Sequence, residues 1–282
     1  MLEPKKIDKH LTAIIPSYKP QSYVWECIDS LAGQTLDADL YEIIIVLNGP
    51  KEPYYSQIAD YASKREIKNL KLIYTETRGV SEARNIGLDN STGSYLVFID
   101  DDDYVSKNYF SSLLNNARKE TFVLSDNEFF EDKTNKILSN PRSDAFKANY
   151  ETANILVFRK FYRTATGKLI PRNLIGSISF DTNIQSGEDT LFMMEILAKV
   201  RKIRTIQDGC FYYRRIRENS SISARKPLID HWRIHNYQIL KHLLILLKKS
   251  NFAHKVIVTA SMLGITRYFL KSSLSMIFNK RA

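Results

Sequence analysis

The first 105 residues alternate between short apolar runs and amphipathic segments. Continuous apolar runs, which are typical of strands buried on both faces, predict strands at residues 11–16, 41–47, 70–74 and 95–99. Apolar residues at helical spacing predict helices between these strands, around Val24 and Ile28, around Ile58 and Ala62, and around Val80 and Ala83. Because strands alternate with helices, the pattern predicts an α/β fold with a doubly wound, mostly parallel sheet.

The alternation becomes less regular after residue 105. Further apolar runs predict strands at residues 123–130, 155–158 and 210–216. Residues 180–197 lead into an amphipathic helix, for which Ser186 and Asp189 match the spacing of a capping box. The acidic residues at its start, Glu188 and Asp189, also suit a helix N-terminus on electrostatic grounds alone.

Two basic amphipathic helices are predicted at the C-terminal end, at residues 228–247 and 256–278. The net charge of +10 lies in this region, because residues 219–282 hold eleven Lys and Arg but one acidic residue, whereas residues 1–218 are neutral. The composition change predicts a boundary near residue 220. Such helices suit either an anionic membrane surface or packing against the preceding domain through their apolar faces. Nucleic acid is not expected as a partner, since the segment holds neither a known binding module nor aromatic platforms.

Composition excludes several other classes of protein. The two cysteines, Cys27 and Cys210, provide neither a disulfide framework nor zinc-ligand spacing. No apolar run reaches the ~20 residues that span a bilayer, and residues 1–10 lack the apolar segment of a signal peptide. We therefore expect a cytoplasmic protein, which the basic helices could hold on the inner face of the cell membrane.

Candidate chemistry lies at the end of the fourth predicted strand, where YLVFI runs into four aspartates, Asp100 to Asp103. Like charges ~4 Å apart repel strongly in a protein, and a divalent cation with oxygen ligands relieves this repulsion. If the chain stays extended, Asp100 and Asp102 point to the same side. The sequence thus predicts a metal–diphosphate site, with a solvated acidic turn as the simpler alternative.

Two other polar loops follow predicted strands, namely Ser17-Tyr18 and Asn48-Gly49. Open parallel sheets bind ligands beyond the carboxyl ends of their strands, so these loops should meet the aspartates in one crevice. The crevice is of neither the dinucleotide nor the P-loop type, because GxGxxG and GxxxxGK[ST] are both missing from the sequence. Four of the five histidines lie beyond residue 230 and the fifth precedes the first strand, so carboxylates must supply any base.

Six segments together resemble the family 2 glycosyltransferases of the GT-A fold. In chain order they are AIIPSYKP (13–20), EIIIVLNG (42–49), RGVSEARNIGL (78–88), GSYLVFIDDDDYV (93–105), FDTNIQSGEDTLFM (180–193) and YYRRIRENSSIS (212–223). The resemblance implies a GT-A domain at residues 1–223, with a nucleotide-binding half at 1–105 and an acceptor and catalytic half at 106–223. The basic amphipathic helical tail would then occupy residues 224–282.

The resemblance also implies a nucleotide-sugar donor, a UDP-sugar above all, and its binding residues. Pro16 and Tyr18 would contact the nucleotide. Asn48 stands, after Leu47, where relatives usually carry base-reading aspartates, and its amide could bond a uracil edge. Arg84 would meet the phosphates or order the acidic loop. The other residues implied to bind the nucleotide are Asp100, which would lie near the ribose, and Asp101. Either Arg214 or Arg217 would brace the diphosphate.

For the reaction itself, the resemblance implies Mn²⁺ or Mg²⁺ held chiefly by Asp102, with Asp100 and a supporting Asp103. Asp189, beside Glu188, would take the proton from the acceptor hydroxyl, and attack opposite the leaving diphosphate would invert the anomeric carbon. The acceptor would be a saccharide or a lipid-linked saccharide in surface polysaccharide synthesis.

Two other functions remain open at the level of sequence. The altered Leu47-Asn48 loop is also compatible with a non-catalytic sugar-nucleotide-binding scaffold within a glycan assembly complex. A nucleotidyltransferase shares the metal and nucleotide chemistry, but the first strand is not followed by a glycine- and lysine-rich triphosphate loop.

Overall fold

The computed structural model describes residues 10–138, 151–184, 187–206 and 209–217, with isolated positions at 146, 243–244, 247, 255–256, 258–259 and 262–263. Its strands are β1 (Leu11–Ser17), β2 (Tyr41–Asn48), β3 (Leu70–Thr75), β4 (Tyr95–Phe98), β5 (Tyr104–Val105), β6 (Thr121–Leu124), β7 (Asp126–Glu131), β8 (Ile137–Leu138), β9 (Glu151–Thr152), β10 (Lys168–Pro171), β11 (Lys202–Thr205) and β12 (Phe211–Ile216). Its helices are α1 (Tyr23–Ala32), α2 (Tyr54–Lys64), α3 (Val80–Asn90), α4 (Tyr109–Asn115), α5 (Arg172–Ile175) and α6 (Glu188–Leu197), with 3₁₀ helices at Ala38–Leu40 and Ile155–Arg163.

Within these residues the strands form a large mixed sheet and a small one. The large sheet has the order β3-β2-β1-β4-β10-β6-β11-β9, and its first four strands are parallel, as the sequence predicts. Strand β10 enters antiparallel between β4 and β6. The small sheet has the order β5-β12-β7-β8. Because β12 pairs with β5, which directly follows the four aspartates, the small sheet lies beside the acidic turn.

Helices cover both faces of the parallel strands. The buried side chains of α1 and α2, such as Ile28 and Ile58, pack on one face with Leu11 and Ile43. Helix α3 covers the other face so closely that a Cβ added at Gly87 would lie 2.4 Å from Ile14 Cγ2. This close approach requires glycine, and it packs α3 directly against the middle of β1.

Two predictions differ from the structure in the second half of the chain. Residues 155–158 form part of a 3₁₀-helical segment, not a strand, because the buried Phe158, Phe161 and Tyr162 do not alternate as in a strand; the segment is kinked at Phe158. A short apolar run does not distinguish these alternatives. The strand predicted at 123–130 is divided at Ser125, whose N–H donates to the Gly167 carbonyl where the chain leaves the large sheet for the small one.

The N-cap of α6 is Gly187, in the left-handed conformation at φ 88°. Ser186, the predicted capping residue, lies outside the described residues. The Asp189 side chain of the predicted capping box accepts hydrogen bonds from Arg84 and from the Ala165 N–H. The acidic residues at the start of this helix therefore belong to a contact between distant segments.

Most of the predicted helical tail lies outside the described residues. Of its described positions, Leu243 and Val258 are fully buried in the core that also holds Phe158 and Phe192. Leu244 and Leu263 are exposed. This burial supports packing of the tail on the domain, while the membrane surface and the boundary at residue 223 stay predictions. No helix among the described residues is both long and apolar enough to cross a bilayer.

Candidate active site

Most of the predicted site residues lie at the carboxyl-terminal edge of the parallel strands. Strands β1, β2 and β4 end there at Ser17, Asn48 and Phe98, and the acidic turn follows β4. Helix α3 brings Arg84 to this edge, and α6 brings Glu188 and Asp189. The fold thus brings together distant segments, and Arg84 contacts Asp189 across 105 residues of sequence.

The four aspartates form a turn that is held in place by β12. The Asp103 N–H donates to the Asp100 carbonyl at 3.1 Å, which closes the turn. Asp103 is buried, and its carboxylate accepts hydrogen bonds from the Tyr212 hydroxyl at 2.6 Å and the Arg215 N–H at 2.8 Å. The Tyr212 hydroxyl in turn accepts from the Asp100 N–H at 3.1 Å. Because both Asp103 oxygens are engaged, this residue fits the supporting role better than direct metal binding.

Asp101 points back toward β1, where the Ser17 hydroxyl donates to its carboxylate at 2.6 Å. Burial raises the pKa of Asp101 to about 7, and Asp102 and Asp100 act in the same direction against the Ser17 hydrogen bond. An ionised Asp101 is therefore costly unless positive charge lies near it.

Asp102 is paired with Arg217, one of the two arginines predicted to brace a diphosphate. The Arg217 guanidinium also lies 4.6 Å from the ring centre of Tyr23, at the start of α1. Burial and the neighbouring Asp100 raise the pKa of Asp102, and Arg217 opposes this rise. The other candidate, Arg214, lies on β12 opposite Phe129. Of these two arginines, Arg217 is the one that the structure brings to the acidic turn.

Sequence reasoning missed two residues that organise the turn, Arg215 and Tyr212. The Arg215 Nε donates to the Asp102 carbonyl at 2.8 Å, and its guanidinium pairs with Glu26 and Asp132. Both residues lie in the YYRRIR segment, but nothing in that segment indicates which side chains face the aspartates. Only the pairing of β12 with β5 and β7 fixes this orientation.

Arg84 contacts carboxylates of both the acidic turn and the Glu-Asp pair. Its buried guanidinium donates from Nη1 to Asp189 Oδ1 at 2.5 Å and from Nη2 to Asp100 Oδ1 at 3.1 Å. Nη1 also lies 3.7 Å from Glu188 Oε1. Burial by itself lowers the pKa of Arg84, but Asp189, Asp100 and Glu188 together raise it above its ordinary value. Arg84 therefore links the acidic turn to the Glu-Asp pair.

The two carboxylates of the Glu-Asp pair have different surroundings. Asp189 accepts from Arg84 through Oδ1 and from the Ala165 N–H through Oδ2, at 3.1 Å. Burial, followed by repulsion from Asp189, raises the pKa of Glu188 in spite of Arg84. Within the described residues, Glu188 Oε2 and Arg84 Nε are buried without a hydrogen-bond partner. In native proteins such buried polar atoms usually contact a water, an ion or a ligand.

The residues predicted to contact the nucleotide or its base, namely Pro16, Tyr18 and Asn48, lie at or near the ends of β1 and β2. The Tyr18 ring is 43% exposed and covers Gly49, where an added Cβ would lie 2.6 Å from the ring. Asn48 is buried; its amide donates to the Ser17 carbonyl at 2.8 Å and accepts from the Gly79 N–H at 3.2 Å. Both polar groups of the Asn48 amide are thus engaged in holding these two loops together. Recognition of the nucleotide base by Asn48 stays a prediction. Pro16 lies within β1, opposite Val46.

The acidic turn fits a divalent cation that is shared with a substrate. Among the described residues, no three His, Cys, Asp or Glu side chains are grouped as a self-sufficient metal site. Asp100 and Asp102 are instead two carboxylates with arginine partners. Mg²⁺ is commonly held by one or two carboxylates together with substrate phosphates, so this donor set suits a metal that arrives with a diphosphate.

Residues 12–178 match the model of the family described as glycosyl transferase family 2, and the chain belongs to this family. The uncharacterized glycosyltransferase EpsJ of Bacillus subtilis is 29% identical over 242 residues, which cover 81% of this chain and 67% of EpsJ. The poly(ribitol-phosphate) beta-N-acetylglucosaminyltransferase TarS of Staphylococcus aureus is 26% identical over 215 residues, covering 76% of this chain and 37% of TarS. The match thus spans about two thirds of EpsJ but little more than a third of TarS.

Solved structures show the same fold. The structure of S. aureus TarS in complex with UDP-GlcNAc superposes with a TM-score of 0.75 at 20% identity, covering 92% of this chain and 73% of that one. The mannosyltransferase PcManGT of Pyrobaculum calidifontis, in complex with GDP-Man and Mn²⁺, gives a TM-score of 0.62 at 18% identity, covering 90% and 69%. The predicted family, enzyme class and GT-A fold are confirmed.

Proposed function

We propose that this chain is a metal-dependent, inverting glycosyltransferase that moves a sugar from a UDP-sugar to a saccharide or lipid-linked acceptor in the synthesis of a surface polysaccharide or teichoic acid. The observation that carries the proposal is the position of Arg84, which contacts Asp100 of the acidic turn and Asp189 of the Glu-Asp pair. The predicted donor-binding residues and the proposed base are thereby held next to each other.

Asp189 is the proposed base. Arg84 and the Ala165 N–H each engage one of its oxygens, which fixes the orientation of the carboxylate and leaves further lone pairs to accept the proton of an acceptor hydroxyl. Glu188 lies beside it with a buried, unpartnered Oε2, to which the same or a neighbouring hydroxyl could donate. The pair would therefore position the acceptor oxygen as well as deprotonate it.

Departure of the nucleoside diphosphate requires positive charge near its phosphates. Arg217 lies at the acidic turn, and Arg84 lies between the turn and the base. Asp100 and Asp102 would hold Mn²⁺ or Mg²⁺, which when bound would neutralise charge on the leaving diphosphate. With the base and the diphosphate on opposite sides of the anomeric carbon, transfer would invert its configuration.

The donor and acceptor classes rest on the relatives. TarS has been solved with UDP-GlcNAc and with UDP, and its name gives poly(ribitol-phosphate) as its substrate. We therefore propose a UDP-sugar as the donor and a cell-surface polymer or its lipid-linked precursor as the acceptor. The basic tail would add affinity for an anionic acceptor or membrane surface, in addition to its packing on the domain.

Release of UDP from a panel of UDP-sugars, with Mn²⁺ and a polymeric acceptor, tests the proposal directly. We expect turnover with at least one UDP-sugar, and a loss of at least ~10²-fold in Asp189→Asn with the affinity for UDP retained. Binding of UDP-sugars with no turnover under any condition would overturn the proposal and favour the non-catalytic scaffold.

A further inference from the structure

We infer that Asn85 is a positioning residue for the Glu-Asp pair, acting through Phe180; the inference rests on the proposed function. Asn85 follows Arg84 on α3 and forms two reciprocal hydrogen bonds with the backbone of Phe180. Its amide donates to the Phe180 carbonyl at 2.9 Å, and its carbonyl accepts from the Phe180 N–H at 2.8 Å. One side chain thereby satisfies both backbone groups of a residue 95 positions away.

The two hydrogen bonds set the position of the Phe180 ring. The ring is buried and stacks on Phe192 with centroids 3.9 Å apart and planes 12° apart, while Phe98 meets it edge-on at 5.3 Å. Phe192 lies one turn after Glu188 on α6, and Phe98 is the last residue of β4. The ring is therefore wedged between the helix that carries the base and the strand that leads to the acidic turn.

The same ring lies under the guanidinium of Arg84, whose Cζ is 5.3 Å from its centre. Since Arg84 and Asn85 are neighbours on α3, the helix holds both the cation and the loop whose aromatic ring supports that cation. Segment 176–187 between α5 and α6 has no helix or strand in its described residues, 176–184 and 187. The pair of Asn85 hydrogen bonds is thus a direct tie between α3 and this loop.

A small displacement of this loop would move α6 relative to Arg84. Misplacement of a reacting group by ~1 Å can cost ~10²-fold in rate. Because Asn85 itself contacts neither Asp189 nor the acidic turn, its loss should lower kcat while leaving nucleotide affinity nearly unchanged. Only an amide, which donates and accepts side by side, matches both backbone groups of Phe180.

The test compares Asn85→Leu with Asn90→Leu, a matched control at the end of α3. The Asn90 amide donates to the Ile86 carbonyl of its own helix and accepts from Lys71 Nζ at 3.1 Å on the exposed surface. We expect Asn85→Leu to lower kcat by ~10- to 100-fold and to change the Kd for UDP, measured by calorimetry with Mn²⁺, less than twofold. Asn90→Leu should change kcat less than twofold. Wild-type kcat in Asn85→Leu, or a tenfold weaker affinity for UDP, would overturn the inference.

A double-mutant cycle separates positioning from general destabilisation. In an Asp189→Asn background, Asn85→Leu should lower the residual rate less than twofold, because the group that it positions is already gone. An equal loss in both backgrounds would refute action through Asp189. If Asn85→Leu does not fold, Asn85→Asp replaces it in the test. This variant keeps the hydrogen bond from the Phe180 N–H but loses the donor to the Phe180 carbonyl, and the same changes in kcat and in the Kd for UDP are expected.

Hydrogen exchange provides a measurement independent of turnover. Amide exchange in peptides covering residues 176–192 should accelerate in Asn85→Leu and stay at the wild-type rate in Asn90→Leu. Unchanged exchange would overturn the inference. A wild-type protein without turnover would instead refute the proposed glycosyl transfer, even if the exchange result supports the tie between α3 and the loop.

Discussion

Arg84 and Asp189 lie 105 residues apart in the sequence, yet Arg84 Nη1 is 2.5 Å from Asp189 Oδ1. The arginine side chain is only 4% exposed and the aspartate side chain 15% exposed, so bulk water screens this pair poorly. The same guanidinium reaches Asp100. The acidic turn, which is predicted to bind the nucleotide, and Asp189, the proposed base on α6, are thereby coupled through one buried cation.

Replacement of Arg84 should affect both stability and activity. Arg84→Ala leaves three carboxylates near one another without their counter-ion, so we expect a loss of ~3–5 kcal/mol in unfolding free energy. Arg84→Lys keeps the charge but not two-pronged hydrogen bonding, and should lower kcat by at least ~10-fold. Chemical denaturation and UDP-release assays measure these effects.

The control for this experiment is Arg65→Ala. Arg65 pairs with Asp29 at 3.0 Å on the surface, where both side chains are largely exposed. Exposed pairs contribute ~0–1 kcal/mol, so the control should remain close to wild type. Equal losses of stability in Arg84→Ala and Arg65→Ala would contradict the role given to the buried pair.

Substitutions of Asp189 and of Glu188 should affect different kinetic constants. Asp189→Asn removes the proposed base and should lower kcat by at least ~10²-fold, with little change in the Kd for UDP. Glu188→Gln retains a hydrogen-bonding side chain and should mainly raise the KM for the acceptor. Steady-state kinetics with varied acceptor distinguish these results, and a larger kcat loss in Glu188→Gln than in Asp189→Asn would reverse the assignment.

Divalent metal should strengthen nucleotide binding through the acidic turn. Calorimetry of UDP binding should give a Kd at least ~10-fold lower with Mn²⁺ than with excess chelator, because carboxylates and phosphates together form the expected ligand set. Asp102→Asn should abolish this difference. Asp60→Asn, an exposed acidic residue on α2, is the control and should retain it. Identical affinities with metal and chelator in the wild-type protein would count against a metal site.

The raised pKa of Asp101 predicts a dependence of stability on pH. With a pKa of about 7 in the folded protein against 3.8 for an unperturbed aspartate, the folded state holds more protons over this interval. Unfolding free energy should therefore fall as pH rises from about 4 to about 7. Burial raises the pKa of Asp102 and Asp103 as well, which gives the same sign.

Asp101→Asn should flatten this dependence. Melting temperatures at pH 5 and pH 8, in chelator, provide the measurement, and the loss on going to pH 8 should be smaller in Asp101→Asn than in the wild-type protein. A wild-type protein that becomes more stable at pH 8 than at pH 5 would contradict the raised pKa of Asp101.

Gly49 should be intolerant of a side chain because Tyr18 covers it. Gly49→Ala would place a Cβ 2.6 Å from the Tyr18 ring, at φ 93°. We expect a several-fold weaker affinity for UDP and a loss of ~1 kcal/mol or more from backbone strain. Gly209→Ala has a similar φ of 79° with no atom within 4 Å of its Cβ, so it should show the strain without the change in affinity. Equal UDP affinities in the two variants would show that Tyr18 does not contribute to nucleotide binding.

Local sequence patterns are sufficient to predict the secondary structure and the sheet of the first half of this protein. The apolar runs of β1 to β4 and the helical spacing between them predict elements, their order and the parallel sheet, because burial on both faces leaves a continuous apolar signal. The same topology predicts that Ser17, Asn48 and Asp100 meet at one edge. The resemblance to family 2 glycosyltransferases then implies Asp189 as the base, which stays a prediction.

Packing between distant elements sets what each of these residues contacts. The division of residues 123–130 between two sheets, and the 3₁₀ helix at Ile155–Arg163, follow from which surface each segment buries rather than from its apolar content. Likewise, Arg215 is distinguished from Arg214 only by the pairing of β12. The contacts of Arg84 and Asn85 join segments about 100 residues apart, and such contacts depend on packing between elements, which no local periodicity records.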